Sequence, residues 1–165
     1  MKYELVKIEE LCGEKLTTYS IASEGNDTTI FEEFLSDYSS SHTSEINQIV
    51  DMFVEMKERF GAREIYFKSM QGSPSSQLVR LKHKTIKELR VYCIKLGKSI
   101  IIVGGGGVKP SDKKALQEVP ELKKQNYFMR EISKELESKI KNKEITYNSD
   151  YTELLGELFL GEENE

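Results

Sequence analysis

Residues 78–116, LVRLKHKTIKELRVYCIKLGKSIIIVGGGGVKPSDKKAL, constrain the fold more than any other part of the chain. The pattern predicts strands over 78–82 and 89–96, linked through Lys84, Thr85, Ile86 and Lys87. A two-residue turn at Gly97-Lys98 leads into 99–103, a continuous apolar run suited to a central strand. Four glycines follow, and Ser111 is placed to cap a short helix. The segment holds ten basic residues against only Glu88 and Asp112.

That imbalance is part of a larger partition. The net charge of −4 over 165 residues divides into −8 for residues 1–60, +11 for 61–143 and −7 for 144–165. Clustered lysine and arginine bind phosphates by releasing counterions, so the basic middle points to a polyanion, RNA first. Mutual neutralisation of the blocks within the fold is the competing reading. The length suits one domain with a sizeable core. Its expected parts are an N-terminal β-hairpin extension (1–27), a core (28–143) and an acidic C-terminal extension (144–165).

No apolar run approaches a membrane span, and MKYELVKIEEL lacks the layout of a signal peptide. Cys12 and Cys93 have no metal-type spacing with His42 or His83. Two buried free thiols in a reducing cytoplasm are expected, with no metal and no cofactor.

Before the basic segment, short strands are expected near 5–8 and 15–21. A helix over 29–38 carries Ile30, Phe31, Phe34 and Leu35 on one face, with Asp27 or Thr28 as cap. A second helix, capped by Thr43 or Ser44, carries Ile46, Ile49, Val50, Phe53, Val54 and Met56 and stops at Phe60-Gly61. A strand over 64–68 and a polar loop over 72–76 follow. Helices are expected over 112–119, from Pro120 to Lys141, and over 150–160.

Strand alternation places Arg80, Lys82 and Lys84 on one face, and Arg90 and Tyr92 on the matching face of the next strand. Cations gathered this way repel unless an anion sits among them; separate solvated lysines on an edge strand are the plainer alternative. Gly104–Gly107 before Lys109 suggests a phosphate cradle, but Lys109 is followed by Pro110 and the nucleotide-loop pattern is absent. A flexible strand-to-helix turn is the simpler expectation, with Lys113 and Lys114 nearby. Neither histidine has an evident carboxylate partner. His83, between Lys82 and Lys84, is the candidate general base.

The order of a helical hairpin, Leu78-Val79-Arg80-Leu81, Leu89-Arg90-Val91-Tyr92, an apolar strand, a glycine turn with Lys109 and a terminal helix resembles the RelE/ParE toxin superfamily, in particular its HigB-like, phage-derived branch. The resemblance covers about residues 28–140. It implies an α+β fold: a twisted antiparallel sheet with an N-terminal helical hairpin and C-terminal helices packed on one face. It also implies an endoribonuclease cutting mRNA, often on the ribosome, neutralised by a small antitoxin protein, with a homodimer among the expected assemblies.

Under that resemblance Arg80, Arg90, Tyr92, Lys82 and His83 are the catalytic candidates. Lys84, Lys87, Lys109, Lys113 and Lys114 are the nucleic-acid-binding ones. A non-catalytic RNA- or protein-binding regulator of the same fold, its basic face docking an acidic partner or its own acidic tail, is the alternative.

Overall fold

The computed structural model describes residues 1–70, 77–109 and 119–161. The expected loop over 72–76 and helix over 112–119 fall wholly or almost wholly outside these residues, as do Lys113 and Lys114.

The chain begins with a hairpin of β1 (Lys2–Lys7) and β2 (Thr17–Ser23), then α1 (Ile30–Tyr38) and α2 (Thr43–Glu55). A short edge strand β3 (Phe67–Ser69) precedes β4 (Leu78–Leu81), β5 (Leu89–Leu96) and β6 (Ile100–Val108). The long helix α3 (Pro120–Lys141) leads to β7 (Ile145–Tyr147), β8 (Leu154–Gly156) and β9 (Phe159–Gly161).

Among the described residues seven strands form one sheet in the order β3-β4-β5-β6-β2-β1-β9, and β7 pairs with β8 separately. The sheet is mixed: β2 runs parallel to β6, with Thr17 opposite Ile100, while the other pairs are antiparallel. The expected all-antiparallel sheet with helices on one face is therefore corrected. The helical hairpin is central in the chain, after two strands, and α1 and α2 cover one face while α3 covers the other.

The two-sided burial follows from the strand sequences. Ile100 to Val103 are all buried: Ile101 and Val103 join Phe31, Phe53 and Met56, and Ile100 and Ile102 join Met129, Ile132 and Leu136. A strand covered on both faces has no reason to alternate, so it reads as an uninterrupted apolar run. On β5, Val91 and Cys93 face α1 and α2, and Tyr92 and Ile94 face α3.

Local signals set the helix ends. Thr29, rather than Asp27 or Thr28, caps α1 in a reciprocal box: its hydroxyl accepts the Glu32 amide and the Glu32 carboxylate accepts the Thr29 amide. His42, not Thr43 or Ser44, is the residue before α2. Past a π turn (Met56–Phe60) the helix stops at Gly61, φ +68°, where a Cβ would meet the Lys98 carbonyl at 2.8 Å.

The expected helix over 150–160 is instead β8 and β9. Gly156 stands at φ +108° with no room for a Cβ beside the Glu144 carbonyl, so no helix passes through it. The free edge of β1 offers unpaired amides that β9 satisfies, with Tyr3 opposite Leu160. Among the described residues no helix is long and apolar enough to cross a membrane. Cys93 is buried and Cys12 half-buried, its Sγ accepting the Thr18 amide, and both are free thiols.

Candidate phosphate-binding face

The pairing of β4 with β5 sets Leu78 opposite Ile94 and Arg80 opposite Tyr92. Alternation carries Leu78, Arg80, Tyr92 and Ile94 to the α3 side, and Val79, Leu81 and Cys93 to the α1–α2 side. Arg80 and Arg90 lie close enough that Arg90 helps to lower the Arg80 pKa, after burial, which is the larger cause. Tyr92 is 1% exposed. Burial pushes its phenol up to about 12, against an opposing pull from Arg80 and Arg90. The phenol is therefore neutral at physiological pH.

Arg80 is half-buried and forms no ion pair among the described residues. A cation taken partly out of water beside another cation is destabilising unless an anion joins it. Arg90 turns back along its own strand, Nη1 donating to the carbonyls of Lys87 at 3.1 Å and Leu89 at 3.0 Å.

The glycine run is neither a turn nor a cradle. Gly104–Gly107 are buried residues of β6, and this corrects the expected strand-to-helix turn. Val91 pairs with Gly106 and Cys93 with Val103, so Gly104 and Gly105 together stand opposite Tyr92 in a β-bulge. A Cβ on Gly104 would meet Met129 Sδ at 2.4 Å, and one on Gly105 would meet Gln125 Oε1 at 2.7 Å. The missing side chains let α3 settle against the strand beside Tyr92.

The other candidates lie around this group. Lys82, Lys84 and Lys87 are exposed in the connection between β4 and β5. His83 is there too, outside the strand: its Nδ1 accepts the Thr85 amide at 3.1 Å, which puts a neutral ring's proton on Nε2. Lys109 follows β6, its amide donating to the Glu88 carbonyl at 2.7 Å.

One feature escaped the sequence. His42 does have a carboxylate partner: its Nε2 lies 2.9 Å from Glu88 Oε1, while Ser41 Oγ lies 2.8 Å from its Nδ1. Glu45 completes the tie, accepting the amides of Glu88 and Leu89. The start of β5 is thus clamped to α2 immediately before Arg90. A separation of 46 residues between His42 and Glu88 leaves no local signal for this contact.

The described part of the acidic extension does not cover the arginines, because β9 closes the sheet edge opposite to β3 and β4. Among the described residues no group of three His, Cys, Asp or Glu side chains is placed to hold a metal. No family model matches the chain, and a search of curated proteins returns no match.

Proposed function

We propose that this chain binds RNA through Arg80 and Arg90 and acts as a toxin-type endoribonuclease on mRNA in the cytoplasm, held in check by a small antitoxin protein. The observation that carries the reading is the half-buried Arg80 guanidinium, without a carboxylate partner among the described residues and beside a second arginine. A phosphodiester is the anion that would relieve this arrangement. In the reaction a ribose 2′-hydroxyl attacks the adjacent phosphorus and the 5′-oxygen leaves. The two guanidiniums stabilise the charge that grows on the phosphoryl oxygens.

Tyr92 is too deeply buried to touch RNA, and its role is to floor the site beneath Arg80. The imidazole of His83 is committed at Nδ1 to its own turn. The 2′-hydroxyl proton therefore passes to water, and the exposed Lys82, an ammonium that donates but does not accept, is the group available to protonate the leaving 5′-oxygen. That lack of a buried base favours a second reading, RNA binding without cleavage.

Expression of the chain and of an Arg80→Ala/Arg90→Ala variant in growing cells tests the proposal. Growth arrest with cut mRNA for the first alone supports the toxin. Equal growth of both cultures removes it, and RNA bound but left intact selects the second reading.

A further inference from the structure

The two long flanks of α3 differ in charge. One flank is fixed against the sheet edge: Phe128 packs on Tyr3 with ring centroids 5.0 Å apart, and the Glu135 carboxylate accepts the Gly161 amide at 2.8 Å. The opposite flank, turned away from β1 and β9, carries Lys123, Tyr127, Arg130, Lys134 and Lys141 at steps of four, three, four and seven. These positions form one stripe about 27 Å long at 1.5 Å per residue. Glu137 is the single acid in it, since Glu121, Glu131 and Glu135 lie off this line.

Lys123, Tyr127, Lys134 and Lys141 are exposed. Lys123 Nζ stands 5.8 Å from the Tyr127 ring, and Arg130 Nε is steadied by Asn126 Oδ1 at 2.6 Å. The stripe begins beside the β5–β6 bulge, where Leu122 packs on Gly107 across the ladder from Arg90.

At its far end lies an aromatic groove. Tyr147 and Tyr151 stand 5.4 Å apart with planes inclined by 40°, lining with Ile140 and Ile145 a groove of about 310 Å³. Tyr151 is 67% exposed and sits at φ +59°, a conformation a tyrosine rarely holds. The Asn148 side chain, bonded to the amides of Thr152 and Glu153, keeps the loop in that form.

We infer that this stripe is a track for single-stranded RNA, running from the arginine pair along α3 to a base-stacking platform at Tyr147 and Tyr151. The inference rests on the reading of Arg80 and Arg90 as a phosphate site. Cations spaced along one flank follow a backbone, and an exposed aromatic pair takes an unpaired base without regard to sequence. A duplex has no free base to offer that platform.

The test is binding of oligoribonucleotides of about three and about 12 nucleotides, the first shorter than the usual single-strand site and the second within its range. The longer strand should bind at least tenfold more tightly, and a duplex of the same length should lose that gain. Lys123→Gln/Lys134→Gln/Lys141→Gln should remove the gain while leaving the short strand unaffected. The slope of log affinity against log salt should shrink by about 2, since each single-strand phosphate contact contributes about 0.7. Tyr151→Ala should weaken the long strand alone.

Equal affinity for the two lengths, or an unchanged slope in the triple variant, overturns the track. If Arg80→Ala/Arg90→Ala leaves short-strand binding intact, the phosphate site itself has failed. Competition by polyglutamate with no effect of Tyr151→Ala overturns the track in favour of an acidic protein partner.

Discussion

Arg80 lies directly opposite Tyr92 on the β4–β5 ladder, a half-buried cation standing over a buried, neutral phenol. The pair is a poor arrangement for stability and a useful one for holding an anion. Replacing the guanidinium by a side chain of similar length without charge separates the two effects. Arg80→Met should raise stability by about 1 kcal/mol, because a half-buried charge with no ion pair among the described residues is exchanged for packed methylenes. RNA binding should fall at the same time. Urea unfolding midpoints and RNA titrations on the one variant check both halves.

Tyr92 also sets an alkaline limit. Its phenol titrates near 10 when unfolded and about 12 when folded, so the folded state holds the proton more tightly. Its contribution is complete below pH 10 and is lost as pH rises through 12. Cys93 and Tyr19 are shifted upward by burial as well and act in the same direction. Stability measured against pH should fall steeply above pH 10, and Tyr92→Phe should flatten part of that fall. A curve for Tyr92→Phe that overlays the wild type would place the alkaline loss elsewhere.

The glycines of β6 make a graded series. A Cβ on Gly105 meets only the end of the Gln125 side chain, which can swing aside. One on Gly104 meets the Met129 thioether, a flexible group pinned in the core. One on Gly106 would stand 1.6 Å from the Arg90 carbonyl oxygen, which is backbone and cannot yield without breaking the ladder. Alanine substitutions should therefore cost least at Gly105, about 1–3 kcal/mol at Gly104 and more than that at Gly106. Thermal unfolding of the three variants gives the order directly.

The same residues show what a sequence can and cannot convey. Strands β4 to β6 and helices α1 and α2 were legible because their signals are local: alternation, a turn glycine, and apolar residues three and four apart. Four consecutive glycines carry no periodicity; the reason for Gly104, Gly105 and Gly107 is α3, which arrives about 20 residues later, and the reason for Gly106 is the Arg90 carbonyl of the neighbouring strand. The parallel pairing of β2 with β6 is likewise invisible, since it joins Thr17 to Ile100 across two helices and three strands. In 150–160 the leucines do repeat at helical spacing. The open edge of β1 and the backbone of Gly156 outweigh that propensity. At the site, alternation alone put Arg80 and Tyr92 on one face, but nothing local announced the His42–Glu88 tie.

Lys143 ends α3 in the left-handed region at φ +63°. The Glu144 amide reaches back to the Lys139 carbonyl at 2.9 Å and the Lys143 amide to Ile140 at 3.1 Å. This closing pattern usually employs glycine, for which the conformation is unstrained. Lys143→Gly should stabilise the chain by about 0.5–1 kcal/mol, the relief of strain exceeding the extra freedom of the unfolded glycine. A lowered urea midpoint would show that the lysine contributes more by its charge at the helix end than it loses in strain.

Glu45 ties α2 to the start of β5. Its Oε1 accepts the Leu89 amide at 2.9 Å and the Glu88 amide at 3.2 Å. Arg90 is aimed in turn by carbonyls of that same stretch, Lys87 and Leu89. Removing the carboxylate frees two amides and loosens the frame that directs the guanidinium. Glu45→Ala should cost about 1.5–3 kcal/mol, the range for hydrogen bonds to a charged group. RNA affinity should weaken even at temperatures where the variant is fully folded. Glu45→Gln keeps one acceptor oxygen, so it should recover most of the affinity and only part of the stability. If Glu45→Gln and Glu45→Ala bind RNA equally well once folded, the clamp serves the fold alone and Arg90 finds its direction without it.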